Sequence, residues 1–337
     1  MMTAGIAKSP KRRLRLKPRT NTSTLIMSSL ERSYEYHESV LLAETVGRLA
    51  PAAGKILLDG TTGGGGHSAA LLEAGATVIG LDQDAEALQY AVRHLAEFGA
   101  RFTPVRGSFA EAGEVLDGLH IARLDGALLD LGVSSRHLDA AERGFSFMRE
   151  GPLDMRMDTR GLTTAADLVN SLSGEELERI FREFGEERAA RRIAERIVQE
   201  RAVRPITTTL ELARVVESVV PRHGRAHPAT RIFQALRIAV NRELEVLTEG
   251  LAQISARLAP GGRFAVITFH SLEDRIVKDF FKSRSVPMLD RPEWPAARPN
   301  PDCIFRKITG KPVVASAAEQ RANPRARSAK LRVVERL

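Results

Sequence analysis

One cysteine in 337 residues, Cys303, excludes an internal disulfide and a thiolate-built zinc site, and it suits a reducing compartment such as the cytoplasm. Apolar runs of the ~18 residues that a membrane span needs are missing, so no membrane contact is expected and the protein should be soluble. Acidic residues are missing from positions 1–30. Eight basic residues lie within 1–33 against Glu31 alone, so nearly all of the net charge of +8 sits in that tail. A basic nucleic-acid surface on the remaining body must then come from the arrangement of its charges, since they almost cancel. Residues 1–33 have the composition of a disordered basic tail; a transit peptide, or a true start at Met27, would account for it equally.

What remains has the average make-up of a globular protein, 43% hydrophobic and 27% charged. Its pattern alternates between strands and helices, as in an α/β domain with a mostly parallel sheet. Residues 38–49 read as an amphipathic helix. Strands are expected at 55–59, 77–82, 101–106 and 125–131, with helices after the first two through Glu73 and over 85–98. Between Leu138 and Val240 only helical periodicity is found: Leu177, Ile180, Phe181 and Phe184 share one face, and Leu212, Val215, Val216 and Val219 another. Ser173 with Glu176, and Thr208 with Glu211, are capping-box starts. A long helix then runs to Leu258, Pro260-Gly261-Gly262 stops it, and a buried strand follows at 263–269. The expected fold is a Rossmann-like α/β sheet with helices on both faces, made of 34–137 and 241–337, interrupted by an all-α domain at 138–240.

Three familiar signatures are absent. The run Gly63 to Gly66 ends in His67-Ser68 where a phosphate loop needs Gly-Lys-Ser/Thr, and Ser68 stands where a dinucleotide fingerprint has its third glycine. None of the eight histidines forms a His-x-x-x-His pair or stands beside a recognisable carboxylate set, so no metal is expected. The glycines do sit where the first strand meets the first helix, which lets a ligand approach the backbone. Asp82, ending the second strand, is placed to accept hydrogen bonds from a ribose, unless it or Asp84 merely caps the next helix. NAD, FAD and S-adenosylmethionine all carry that ribose; the missing third glycine and the late Pro-Gly-Gly turn favour S-adenosylmethionine. Asp130 closes the fourth strand in DLGVSS, where it would point at donor and acceptor. There it could orient an exocyclic amine for attack, which makes it the candidate catalytic residue, with Ser134, Ser135 and the Phe145–Phe147 segment as alternatives. Met148, Met155 and Met157 read as packing residues, and Arg222, His223 and Arg225 as a charged loop open to RNA phosphate.

The strings DGTTGGGGHS (59–68), DLGVSS (130–135), ERGFSFMREGPLDMRMD (142–158), HPATRIFQALRIAVNRELE (227–245), FHSLEDRIVKDF (269–280) and NPRARSAKLRVVER (323–336) resemble the bacterial 16S ribosomal RNA cytosine-N4 methyltransferases over residues 36–336. The resemblance implies a class I methyltransferase fold with a helical substrate-recognition insertion. It also implies methyl transfer from S-adenosylmethionine to a cytosine amine in the decoding region of 16S ribosomal RNA, with the RNA expected as part of the small ribosomal subunit. Carried over by position, the cofactor contacts fall on Gly65, Gly66, His67, Asp82, Phe109 and Asp130, with a further one at His137. There the family has Pro-Gln after the two serines, and this chain has Arg136-His137. A homodimer is compatible with the sequence, which does not specify an oligomeric state. A nucleotide-cofactor oxidoreductase on a similar fold and a non-catalytic RNA-binding protein are the competing readings.

Overall fold

Adjacent residues of the strands face opposite ways into two separate cores, and that is why the strands read as unbroken apolar runs and not as alternation. Leu57, Val78, Leu128 and Ala265 join one core; Leu58, Ile79, Leu129 and Phe264 join the other. The computed structural model describes Met1 and residues 39–222, 227–290 and 292–337. Apart from Met1 the basic tail lies outside the described residues, as do His223 and Arg225.

The first half runs α1 (Leu42–Leu49), β1 (Ile56–Asp59), α2 (Gly66–Glu73), β2 (Thr77–Asp82), α3 (Ala85–His94), β3 (Phe102–Arg106), α4 (Ala112–Gly118) and β4 (Leu124–Asp130). The helical segment follows: α5 (Ser135–Asp139), α6 (Ala165–Ser171), α7 (Gly174–Glu183), α8 (Ala190–Val203), α9 (Thr209–Val219) and α10 (Ala229–Asn241). Then come α11 (Glu243–Arg257), β5 (Leu258–Thr268), α12 (Ser271–Ser283), the short strands β6 (Met288–Leu289), β7 (Arg298–Pro299), β8 (Phe305–Lys307) and β9 (Val313–Val314), α13 (Ala317–Ala322) and β10 (Lys330–Arg336). The main sheet has the order β3-β2-β1-β4-β5-β10-β8, with β9 also on β10. Its first five strands are parallel, and β10 is antiparallel to β5. The order reverses between β1 and β4, so a crevice opens beyond their carboxyl ends.

Both expected capping boxes are present: Ser173 accepts from the Glu176 N–H and Thr208 from the Glu211 N–H. They start α7 and α9, whose apolar faces (Leu177, Ile180 and Phe181; Leu212 and Val216) meet in a third core with Met155, Met157 and Phe233. That core belongs to the helical segment, yet contacts knit the described residues from Ser39 onward into one body. Among the described residues no helix is long and apolar enough to cross a membrane.

Several boundaries differ from expectation. The first helix begins at Leu42 because Leu41 takes a left-handed φ of 54°. The helix expected over 85–98 breaks after His94, and a 3-10 turn containing Gly99 at φ 53° follows. Pro260-Gly261-Gly262 lies inside β5, in a stretch where pairing with β4 jumps from Leu124–Leu258 to Gly126–Arg263.

Candidate active site

The carboxyl ends of β1, β2 and β4 bring three carboxylates around the glycine turn. Asp59, ending β1, is 1% exposed. Its Oδ2 accepts the Ser68 hydroxyl at 2.7 Å and its Oδ1 the Thr61 N–H at 3.2 Å. Burial pushes its pKa up to about 6, helped by the charge of Asp82 and opposed by those two bonds. Asp82 accepts the Gly63 N–H at 2.7 Å and the Asp84 N–H at 2.8 Å. It therefore pins the glycine turn, and each oxygen keeps a second lone pair for a ligand. The capping role belongs to Asp84, whose Oδ1 accepts the Glu86 and Ala87 N–H groups at 2.9 and 3.4 Å. Burial raises the pKa of Asp82, against the pull of its two backbone bonds.

Gly65, at φ 84°, caps α2, and a side chain on Gly66 would put its Cβ 2.2 Å from Ser39 Oγ. Glycine is required at these two positions by the close approach of Ser39 and Leu95 and by the positive φ of Gly65. The following residue, His67, donates from Nε2 to the Val40 carbonyl at 3.2 Å. Its Nδ1 is left as a bare acceptor 3.5 Å from Asp130 Oδ2. Burial lowers the His67 pKa to about 4, the Val40 bond opposing, so the ring is neutral near pH 7. Asp130 is anchored by its own N–H, which donates to Thr61 Oγ1 at 2.6 Å. Its Oδ1 is buried and has no hydrogen-bond partner. Burial, then the charges of Asp59 and Glu273, push its pKa well above the ordinary carboxylate range. Phe109, in the turn after β3, lies against Gly250 of α11 and beside Gly60: a Cβ on those glycines would come within 2.3 and 3.0 Å of it.

His137 is differently engaged. It is 5% exposed, its Nδ1 accepts the Ser134 N–H at 3.3 Å, and its Nε2 meets Asp84 Oδ2 at 2.6 Å. Its ring stacks on Phe145 at 4.7 Å between centroids. Arg143 donates to the same Asp84 oxygen at 2.9 Å and to the carbonyls of Arg156 and Met157. Burial alone would raise the Asp84 pKa, but His137 and Arg143 hold it well below the ordinary range. A direct ligand contact from His137 would require it to release one of these partners. The remaining candidates stand at the carboxyl ends of β2 (Asp82) and β4 (Asp130), at the start of α2 after β1 (Gly65, Gly66, His67) and in the turn after β3 (Phe109).

Sequence reasoning gave Asp59 no role, although it stands inside the glycine string, and it missed a second cluster. Glu243, His270 and Glu273 place one ligand-type atom each within 4.8 Å of one another. The expectation that no histidine lies beside a carboxylate set is corrected on this point. The i,i+3 spacing of His270 and Glu273 was the available signal; Glu243, on another helix, gave none.

This chemistry selects the ligand. Burial makes Asp59, Asp82 and Asp130 resist ionisation, each also facing another carboxylate, with His137 acting the other way at Asp82. A pyrophosphate-bearing dinucleotide would add negative charge to that cluster, whereas a sulfonium and an ammonium would relieve it. An orphaned carboxylate oxygen, a pinned glycine turn and an acid with lone pairs to spare at the sheet's switch point fit an S-adenosylmethionine-dependent methyltransferase. The sequence matches the MraW methylase family over residues 34–337, and the chain belongs to that family. It is 54% identical to the ribosomal RNA small subunit methyltransferase H of Syntrophotalea carbinolica, over 89% of this chain and 98% of that one. It is 51% identical to the protein of the same name from Geobacter sulfurreducens, over 89% and 99%. Solved structures are more distant: an rRNA methylase from Streptococcus thermophilus aligns at 12% identity with a TM-score of 0.39, covering 88% of this chain and 92% of that one.

The carboxylate cluster carries a pH expectation. A bound cation favours the ionised acids, so as pH falls through the Asp59 value of about 6 donor binding must displace a proton from that group, besides any held by Asp82 and Asp130, whose pKa values are raised too. Affinity for S-adenosylmethionine should therefore fall as pH drops through that value, by up to about tenfold per unit while one group titrates. S-adenosylhomocysteine lacks the sulfonium charge and should fall less steeply. Calorimetric titration of both ligands across the range checks this; parallel profiles would mean that the acids do not sense the sulfonium.

Proposed function

We propose that this chain methylates the exocyclic N4 amine of a cytosine in the decoding region of 16S ribosomal RNA, acting on the small ribosomal subunit in the cytoplasm. The names of relatives matched over nearly their full length support the RNA substrate. The observation that carries the chemistry is Asp130 Oδ1, a buried acceptor without a partner at the end of β4. S-adenosylmethionine supplies an electrophilic methyl group, and the glycine turn, Asp82 and Phe109 are placed to hold it. A cytosine amine is a weak nucleophile because its lone pair is shared with the ring. Asp130 Oδ1 accepts one N–H of that amine, which favours the geometry for in-line attack and offsets the positive charge growing on nitrogen. As the new C–N bond forms and the old S–C bond breaks, the surplus amine proton passes to the Asp130 carboxylate. The bare Nδ1 of His67 lies next to Asp130 to share it. We assign recognition of the RNA to the helical segment 138–240, which packs on a core of its own.

The test is methyl transfer from labelled donor to small subunits isolated from cells without this enzyme, followed by nucleoside analysis. Label is expected in N4-methylated cytidine of the decoding region. Label in another nucleoside, or none despite donor binding, overturns the assignment.

A further inference from the structure

Among the described residues four buried side-chain polar atoms lack a hydrogen-bond partner. Two are on Thr45 of α1 and on Arg325, in the turn before β10. The other two, Asp130 Oδ1 and His270 Nε2, belong to neighbouring strand ends. Asp130 pairs with Ile267 of β5, and the Leu131 N–H donates to the Ile267 carbonyl at 3.0 Å. Beyond Ile267 the chain passes Phe269, whose ring is 3.4 Å from where a Gly132 Cβ would lie, and reaches His270 at the N-cap of α12. The His270 side chain is 10% exposed, and Glu273, its capping partner, is close enough to raise the pKa of Asp130.

The capping box determines which ring nitrogen carries the proton. His270 Nδ1 accepts the Glu273 N–H at 3.4 Å, while Glu273 Oε2 accepts the N–H groups of Phe269 and His270 at 2.7 and 3.2 Å. A neutral imidazole has one acceptor and one donor, so Nε2 holds the hydrogen. Nε2 lies 3.0 Å from Glu273 Oε1, an attraction that helps hold the Glu273 pKa down, but the N–H points off the line of a well-formed hydrogen bond. A buried donor left this way can still take a ligand acceptor. The spacing of Glu243, His270 and Glu273 would suit a cation. Yet a protonated Nε2 cannot ligate one, and both Glu243 oxygens already accept from Arg237, each at 2.8 Å.

We propose that His270 is a substrate-reading residue: its Nε2–H donates to the ring nitrogen adjacent to the target amine, while Asp130 Oδ1 accepts from the amine itself. This rests on the base-methylating function proposed above. Together the two side chains present donor and acceptor to the N3/N4 edge of cytosine. Uracil reverses both groups, with a carbonyl where cytosine has its amine and an N–H where cytosine has a lone pair, so it meets two like pairs and is rejected.

His270→Asn separates this role from helix capping. Asparagine is among the best N-caps, so α12 keeps its start, but its side chain ends near the position of Nδ1 and supplies no donor at Nε2. Cytidine 5′-monophosphate, its 3-deaza analogue with C–H in place of the ring nitrogen, and uridine 5′-monophosphate are titrated into protein saturated with S-adenosylhomocysteine. The same comparison is made as single-turnover methyl transfer to small subunits reconstituted with cytidine or 3-deazacytidine at the target position. Wild type is expected to prefer cytidine over the 3-deaza form about ten- to hundredfold. His270→Asn should lose that preference, treating both as wild type treats the 3-deaza form, with donor affinity and Tm unchanged. A variant that still discriminates like wild type overturns the role of His270. Wild type that binds the uridine and cytidine nucleotides alike, and methylates neither target, would instead overturn the cytosine assignment on which the proposal rests.

Discussion

Asp130→Asn is expected to lower the single-turnover rate of methyl transfer at saturating donor by about 10²- to 10³-fold, and donor affinity by less. Asparagine keeps the shape and an acceptor oxygen for the amine, and its amide can donate to the bare His67 Nδ1 that lies 3.5 Å from the present carboxylate. What it loses is the charge that balances the nitrogen and the capacity to take the surplus proton. The stability effect has the opposite sign. The Asp130 pKa is raised in the folded protein, so its ionised form opposes folding above the ordinary carboxylate range. The neutral variant should therefore melt no lower than wild type near pH 7, in the absence of ligand. Single-turnover transfer to undermethylated subunits, read beside a melting curve, separates the possibilities. If the affinity falls while the saturated rate holds, Asp130 only binds the cofactor. If rate and Tm both stay at wild-type values, Asp130 leaves the mechanism, and suspicion moves to Ser134 or the Phe145–Phe147 segment.

The sheet was legible in the sequence wherever both faces of a strand are buried. Leu57-Leu58, Val78-Ile79 and Leu128-Leu129 each feed two cores, leaving runs too apolar to be loops. β10 escaped because its charges are used in pairs: Lys330 and Arg332 both reach Asp274, and Glu335 takes Arg263 and Arg306. Lys330 to Val333 alternate polar and apolar, but Val334 breaks the period after four residues, too short a run to stand out among the charges around it. In the site, the sequence offered ribose binding or capping for Asp82 and Asp84 without distributing the roles. Only the geometry divides them, giving the cap to Asp84 and the glycine turn to Asp82. FHSLEDR was legible as a helix start, but the cap is His270, a residue type outside the usual capping set. The link from Asp84 through Arg143 to the 156–157 carbonyls joins parts of the chain that no local pattern connects.

That link makes the 141–158 segment the place where one added methyl group should do most damage to the fold. Gly144→Ala is expected to destabilise the protein by about 3–5 kcal/mol, or to unfold this segment alone. Gly144 sits at φ 71°, a conformation that by itself costs alanine about 1 kcal/mol. The larger part is steric: its Cβ would lie 2.1 Å from the Pro152 carbonyl oxygen and 2.7 Å from the Asp154 nitrogen. Both are backbone atoms, and neither can swing aside as a side chain could. Pro152 is held by a bridge to Thr208, and Leu153 donates to the Thr207 carbonyl at 2.9 Å, so the far side of the turn is tied to the start of α9. On the near side, Arg143 carries the bond to Asp84 and Phe145 the stack on His137. Displacing the turn should therefore loosen the contact between the helical segment and the loop after β2, while leaving the main sheet paired. Hydrogen exchange should show faster exchange at Met155, whose N–H donates to the Arg143 carbonyl at 3.0 Å, than at Val78 in β2. Donor binding should weaken less than methyl transfer, since Asp82 keeps its bond to Gly63. A variant with wild-type Tm, exchange and transfer rate would show that the 141–158 turn tolerates a Cβ and does not couple the two parts of the molecule.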